Sequence, residues 1–265
     1  MRSQARAPWL WALILIAVGV VLLLDNFLLV DLDAADYWPF ILVVLAVQLL
    51  LRGDIGLSWA AHTFGITRGS VRTGSIEVES GEVDVQLRAL RSKSGRLVAG
   101  QYTARSRPAL TVRNNQAHLV LRRGDTWPIS LADWDLGLAD DLPWDLLISS
   151  YLGRLELDLR DLPVRKAYIA SGLGNIHLAC PEYADDMLYA RSSLGDVRIS
   201  IPEDSRAVIH VQAGPFARVR VDTARFEEVE PGIYASVRLD APHTIPKAAD
   251  LHITASTTFG SIYLA

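Results

Sequence analysis

The sequence predicts an all-β repeat domain of the β-solenoid type, preceded by an α-helical hairpin that crosses a membrane twice. Two observations support this prediction: a six-residue motif recurs at a nearly constant interval, and two long apolar runs occupy the first 52 residues. A period of about 20 to 50 residues is typical of stacked folds, in which each unit buries its apolar side against its neighbours. We therefore divide the chain into a hairpin over 1–52, a linker over 53–69 and a repeat domain over 70–265.

The two apolar runs each approach the length of a membrane span. Residues 9–24 and 37–51 contain no charged side chain. A helix needs roughly 20 residues to cross a bilayer core, and each run reaches this length when its polar flanks lie in the interface. A cleaved signal peptide and a buried soluble hairpin are the alternatives to a membrane hairpin that binds the lipid bilayer. The aromatic residues at the expected interface positions are Trp9, Trp11, Tyr37 and Trp38.

The distribution of charge predicts the orientation of this hairpin. The loop between the two runs contains four aspartates and no lysine or arginine, whereas arginines flank the outer ends. Positively charged flanks tend to stay in the cytoplasm. We therefore expect a membrane protein with two spans, both termini and the β domain in the cytoplasm, and the acidic loop outside.

Composition and motifs exclude several function classes. The formal net charge of −4 and the isoelectric point near 5.9 do not favour nucleic-acid binding. Cys180 is the only cysteine, so that no intrachain disulfide or CxxC site can form, and we expect it to be a small buried hydrophobe. The six histidines are scattered and no catalytic motif is present. We therefore expect no enzyme activity, no catalytic residue, no metal and no cofactor.

The region before the repeats also has strand character. Residues 76–78 and 83–87 alternate between apolar and polar, as half-buried strands do. Residues 110–121 predict a hairpin in which Asn114 and Asn115 supply the positive φ angles of a two-residue turn. Residues 122–145 contain two prolines and three tryptophans, and are expected to be an excursion that leads into the repeats.

The repeated motif has an internal logic that predicts stacking. Its first four copies begin at residues 152, 173, 194 and 216, which are 21, 21 and 22 residues apart, and a fifth copy covers 259–264. Alignment of the copies gives two aliphatic columns, separated by a position that should face solvent because side chains alternate across a strand. The glycine at the second position of most copies, just before the strand, indicates a tight corner or a positive φ. A second short strand follows in each repeat, so that two strands per turn are expected, with a Greek-key sandwich as the alternative.

The solvent-facing position of the aligned copies is the best candidate for an interaction surface. Neighbouring strands lie about 4.8 Å apart, so these residues should form a polar ladder that becomes basic at one end. An ordinary solvated sheet face is the alternative interpretation. The residues of this candidate interaction ladder are Glu156, His177, Arg198 and Arg220.

Two stretches of the chain resemble a known family. Residues 13–26, followed by Tyr37-Trp38-Pro39-Phe40-Ile41-Leu42, resemble the paired-helix membrane region of LiaI/LiaF-like bacterial proteins. Residues 144–148, 155–159 and 162–164 resemble the toast-rack β domain that follows this region in LiaF-like proteins. The resemblance implies a bacterial membrane protein of the envelope-stress and cell-wall-antibiotic response. It also implies a regulatory role toward the sensor histidine kinase of a two-component system.

These observations lead to three functional hypotheses. The first is a non-enzymatic, membrane-anchored regulator or scaffold that contacts a protein partner, such as a membrane sensor kinase or an envelope protein. The second is a self-assembling solenoid, a homo-oligomer that grows through an open terminal strand at Phe259–Leu264. The third is an envelope-acting hydrolase that uses Asp135, Asp140 or Asp145 as acid or base.

Overall fold

The domain is a stack of parallel strands that forms two facing layers around an apolar core. The computed structural model describes residues 61–90, 95–103, 106–123, 133–237 and 249–265. The predicted membrane hairpin, with Trp9, Trp11, Tyr37 and Trp38, lies outside these residues. None of the described residues forms a helix with the length and hydropathy that a membrane span requires.

The described residues form seventeen strands. The first nine are β1 Ala61–Thr67, β2 Thr73–Glu79, β3 Val85–Ala89, β4 Arg96–Thr103, β5 Ala109–Arg113, β6 Gln116–Arg122, β7 Trp134–Leu138, β8 Trp144–Ser150 and β9 Leu155–Asp158. The others are β10 Val164–Ser171, β11 Ile176–Ala179, β12 Leu188–Leu194, β13 Val197–Ser200, β14 Ala207–Val221, β15 Phe226–Glu230, β16 Ile233–Ser236 and β17 Leu251–Leu264.

The strands pair into two parallel faces. On the long face, the order is β6, β2, β8, β10, β12, the first half of β17 and the first half of β14. On the short face, the order is β7, β3, β9, β11, β13 and the second halves of β17 and β14. One strand from each face makes a rung, and the described residues form seven rungs. Because β14 and β17 run through both faces, hydrogen bonds join all described strands into one sheet.

The pairing distinguishes between the two predicted folds. A Greek-key sandwich would join its strands in antiparallel pairs, whereas the rungs of this domain pair in parallel and in register. The all-β prediction is therefore confirmed, with the strands stacked as a solenoid. The antiparallel strands among the described residues lie at the ends of the stack, in the pairs β1–β4, β4–β7, β5–β6, β14–β16 and β15–β16.

The order of the last two rungs differs from the sequence-based prediction. The copies that begin at 152, 173 and 194 follow one another in space, but β17 then lies between β13 and β14. The expectation that Phe259–Leu264 is an open terminal strand is therefore wrong, because this segment is hydrogen-bonded on both sides. The hairpin of β15 and β16 accounts for the reversal: it carries the chain away after β14, and the chain returns to form the rung next to β13.

The aliphatic columns of the motif form the core, as predicted. Leu155, Ile176, Val197 and Ile262 lie in one register column and each is 0% exposed. Full burial of such a side chain contributes about 1.5–3 kcal/mol to stability. The column continues to Val219 of β14, which is only half-buried because it belongs to the outermost rung.

The glycines of the motif are required by close backbone approach. A Cβ atom on Gly174 would lie under 3.0 Å from the carbonyl oxygen of Gly153, and the same holds for Gly195 against Gly174 and for Gly260 against Gly195. Of these four glycines, only Gly260 has a positive φ, of 137°. The predicted tight corner is thus confirmed for the column, whereas the predicted positive φ applies to its last member alone.

A column of buried hydroxyl groups supports the glycine corners. Ser192 Oγ donates a hydrogen bond of 2.9 Å to the carbonyl oxygen of Gly174, and Thr257 Oγ1 donates one of 3.0 Å to that of Gly195. These bonds satisfy carbonyl groups that would otherwise be buried without a partner. Each hydroxyl stands three residues before a corner glycine, and the column contains Ser150, Ser171, Ser192 and Thr257.

Outside the repeats, one prediction is confirmed and two are corrected. The hairpin of β5 and β6 turns at Asn114 and Asn115, whose φ angles are 49° and 62°. The predicted linker over 53–69 contains β1, which is a strand because it pairs along its length with β4. The predicted excursion over 122–145 contains β7, which is a rung of the short face. The periodicity of the sequence alone does not distinguish single short strands of this kind from loops.

The glycine column predicts a strong effect of a single methyl group. We expect Gly174→Ala to lower the free energy of unfolding by about 2–3 kcal/mol, because its Cβ would overlap backbone and not a movable side-chain end. Gly65→Ala is the control, since a Cβ there would meet Arg96 at an ordinary contact distance of 3.5 Å. Thermal unfolding of the full chain in detergent, followed by tryptophan fluorescence, measures both. Equal melting temperatures for the two variants would contradict the close-contact explanation.

Burial also predicts the reactivity of the only cysteine. Cys180 is 0% exposed, and its removal from water raises the pKa of its thiol far above the usual range. We expect no labelling by a thiol-specific disulfide reagent at pH 8 in the native protein, and one thiol per chain after unfolding in guanidinium chloride. Rapid labelling of the native chain would show that the rung around Cys180 opens.

Candidate functional site

Strand register brings the predicted ladder residues into one row on the outer side of the short face. In spatial order the row contains Asp135, Gln86, Glu156, His177, Arg198, Tyr263 and Arg220. We refer to these seven residues as the ladder. The sequence-predicted members Glu156, His177 and Arg198 occupy successive rungs, and Tyr263 separates Arg198 from Arg220.

The charge of the ladder changes sign from one end to the other. At the acidic end, Asp135 accepts a hydrogen bond of 2.6 Å from Arg88. Glu156 forms an ion pair with Arg154, with 3.5 Å between Oε1 and Nη1. At the basic end, Arg198 and Arg220 lie over the ring of Tyr263, with their Cζ atoms 5.0 and 5.5 Å from its centre. Neither arginine forms an ion pair with another described residue. The acidic end is therefore partly neutralised, while the basic end retains its charge.

A shallow groove of about 460 Å³ follows the ladder over its middle rungs. The groove lies where small side chains occupy the row next to the ladder. In the next outward-facing row, Asp158 is followed by Ala179 and Ser200 in register, and these two small side chains leave space beside His177 and Arg198. The groove thus has an acidic end, a histidine at its centre and an arginine at its far end.

Side-chain hydrogen bonds between rungs hold this surface in place. Asn175 Oδ1 accepts a hydrogen bond of 2.8 Å from the backbone N–H of Asp196, and Asp196 Oδ1 accepts one of 2.8 Å from the N–H of Ser261. Asp84 accepts a similar bond of 2.6 Å from Arg154. Each bond joins the start of one short strand to the next rung. The ladder is therefore presented on a surface whose backbone is fixed from rung to rung.

The aspartates of the hydrolase hypothesis are not brought together. Asp135 lies on the short face beside Arg88, whereas Asp145 lies on the long face, where Arg165 Nε donates to it at 3.0 Å. Asp140 is exposed in the turn before β8. Asp133, just before β7, has a raised pKa because of desolvation and the negative charges of Asp84 and Glu156. Within the part of the chain that the structure describes, no cluster of His, Cys, Asp or Glu could hold a metal ion.

The candidate ladder predicted from the sequence lacks three members of this row. Gln86 and Asp135 stand in short motifs with the same apolar-polar-apolar pattern, Val85-Gln86-Leu87 and Trp134-Asp135-Leu136, but without the regular spacing of the later copies. Tyr263 stands in the fifth copy, and the alignment places it at the same solvent-facing position as Arg220, but it is not among the four candidates. Its role between the two arginines depends on the spatial order of the rungs.

An apolar ridge runs along the corner that contains the glycine column. The residue before each corner glycine, or before Ala217 in β14, points outward and is 45–69% exposed. The ridge ends in two stacked rings, Phe259 and Phe216, whose centres lie 5.1 Å apart. Its members, in spatial order, are Leu152, Leu173, Leu194, Phe259 and Phe216.

Comparison with known families identifies both parts of the chain. Residues 9–50 match the LiaI-LiaF-like transmembrane region, and residues 66–211 match the N-terminal domain of toast_rack, DUF2154. The second match covers more than half of the 265 residues. No curated protein matches the chain.

Solved structures give a similar result for the fold. A candidate cell adhesion protein from Clostridium sporogenes is 13% identical, with a TM-score of 0.65 over 77% of this chain and 98% of its own. This likeness shows a common fold. A candidate adhesin from Bacteroides fragilis is 10% identical over 80% of this chain and 100% of its own, and its TM-score of 0.34 is too low to indicate a shared fold.

The resemblance to LiaF-like proteins, first visible in the sequence, is thus confirmed in both regions. The matched transmembrane region assigns the protein to a membrane, and the all-β domain behind it has the rungs described above. The chain belongs to the family defined by the toast-rack N-terminal domain, and it has a LiaI-LiaF-like transmembrane region in front of that domain.

Proposed function

We propose that this protein is a non-enzymatic, membrane-anchored regulator or scaffold of the bacterial cell envelope that acts by contact with another protein. The observation that supports this proposal most directly is the ladder. Its basic end presents Arg198 and Arg220 without a counter-charge among the described residues, on a rigid face beside a groove. Charged groups fixed in this way favour specific partners through complementary charge.

The proposed partner is the cytoplasmic part of a membrane sensor histidine kinase that responds to envelope stress or cell-wall antibiotics. Two features support this choice: the membership in a LiaF-like family and the arginine flanks of the membrane region. The flanks favour two spans with both termini and the β domain in the cytoplasm. In this arrangement the ladder and the cytoplasmic part of a sensor kinase lie in the same compartment.

Photo-crosslinking in living bacteria tests this proposal. A photoreactive phenylalanine analogue at Arg198 or Arg220 of the full chain should crosslink to a membrane sensor kinase or an envelope protein. The matched control is the same analogue at Thr111, which is exposed on β5 at the far end of the stack. We expect about tenfold more crosslinked product at the ladder than at Thr111, because a specific interface excludes most of the surface.

A functional readout accompanies the crosslinking. The double variant Arg198→Glu/Arg220→Glu should alter the transcriptional response to a cell-wall antibiotic as strongly as deletion of the protein, while Arg107→Glu/Arg113→Glu should leave it unchanged. Crosslinking at the ladder no stronger than at Thr111, or an antibiotic response unaffected by deletion, would count against the proposed function.

A further inference from the structure

Within the described residues, the last rung of the stack is covered on one face and open on the other. The first half of β14 pairs with β17 on one side and, at Val208–His210, with β16 on the other. The hairpin of β15 and β16 therefore covers the edge of the long face. On the short face, Phe216–Val221 pairs with β17 alone among the described residues. Phe226 is 2% exposed and packs against the core at this end. The part of the short face that is left open is therefore the hydrogen-bonding edge of Phe216–Val221.

The inward-facing residues of this last rung are more exposed than those of the rung beside it, because no described strand covers them. Val219 and Val221 are half-buried, whereas their equivalents one rung inward, Ile262 and Leu264, are 0% and 2% exposed. In a parallel ladder, alternate residues direct their N–H and C=O groups to opposite sides. Half of the backbone groups of this segment therefore face away from β17, as at any open edge.

The outward-facing residues of the same edge are basic. Arg218 and Arg220 are exposed and form no ion pair with a described residue, and Arg198 lies two rungs inward on the same face. An incoming strand would therefore meet positive charge on its outer side and aliphatic surface on its inner side. Beside them, Phe216 is 69% exposed and contacts Phe259 by ring stacking on one side.

We propose that residues 216–221 of β14 are a docking site for an extended strand of another protein in which acidic and aliphatic residues alternate. Its aliphatic residues would cover Val219 and Val221, and its carboxylates would lie opposite Arg218 and Arg220. Addition of a strand to an open edge gains main-chain hydrogen bonds, and alternate side chains give the specificity. This inference rests on the proposed function, since it names the kind of segment that the partner would present.

A second copy of this chain is a poorer occupant. An antiparallel pairing of two copies about Val219 would place Arg218 of one copy opposite Arg220 of the other, and a parallel pairing in register would place each arginine opposite itself. Like charges directly across a strand pair are destabilising. Charged residues on an edge strand discourage this kind of self-pairing. The observed charges therefore favour a different, acidic strand.

Peptide binding to the full chain in detergent micelles tests the inference. The probe is a labelled peptide of five Val-Glu repeats, and the control probe has five Val-Lys repeats. Fluorescence anisotropy should show at least about tenfold tighter binding of the Val-Glu peptide, since two cross-strand charge pairs change sign between the probes. Hydrogen exchange read by mass spectrometry should show new protection at residues 216–221.

Two charge-reversal variants locate the site. Arg218→Glu/Arg220→Glu should reverse the preference in favour of the Val-Lys peptide, with both changes at exposed side chains. Arg107→Glu/Arg113→Glu changes the same number of charges beside and on β5, an exposed edge strand at the other end of the stack. It should leave the preference unchanged.

Each of the following outcomes would overturn the inference: equal binding of both peptides, protection outside residues 216–221, or loss of preference in the β5 variant alone. A dimer of the full chain that Arg218→Glu/Arg220→Glu dissociates would also overturn it, because the edge would then bind a second copy. Its failure is distinguishable from failure of the proposed function. Ladder crosslinks without peptide binding would remove only the edge site, and peptide binding without an antibiotic phenotype would remove only the cellular role.

Discussion

The close approach of successive backbones at the glycine corners is the constraint on which the rest of this domain depends. Gly153, Gly174, Gly195 and Gly260 each leave room for a carbonyl oxygen of the neighbouring rung, where a Cβ atom would not fit. Buried hydroxyl groups, three residues before the corner glycines, donate hydrogen bonds to glycine carbonyl groups of the same column. Because the corners stack directly, the short strands that follow them start at the same level. Equivalent side chains of neighbouring rungs are therefore aligned with one another.

This alignment produces the core and the functional surface together. Strand residues that point inward form continuous aliphatic columns, and the residue between them points outward in every rung. A repeat that is selected for packing therefore places a row of polar groups on a flat, rigid face at intervals of about 4.8 Å. The ladder does not depend on a separate pocket. The alternation of side chains that forms the core columns also fixes the positions of the outward-facing ladder residues.

The sequence predicts the columns well and the order of rungs poorly, for a physical reason. A period of 21 or 22 residues reports which side chains share a column, because each rung has nearly the same length. It does not report which rungs touch, because the copies at 216–221 and 259–264 present similar aliphatic faces to a neighbour. Their order is decided by pairing between segments distant in sequence, with the hairpin of β15 and β16 between them. The ladder was accordingly predicted in four of its positions, while the place of Tyr263 and the open edge of β14 were not.

Disulfide crosslinking of the short face tests the order of rungs most directly. In a Cys180→Ala background, Arg198→Cys/Tyr263→Cys and Tyr263→Cys/Arg220→Cys should each oxidise to a crosslinked chain, because opposed residues on neighbouring strands lie about 4.8 Å apart. Arg198→Cys/Arg220→Cys should remain reduced, since two rungs separate its thiols by about twice that distance. Efficient crosslinking of the last pair, with none to residue 263, would place β14 directly beside β13 and contradict this account.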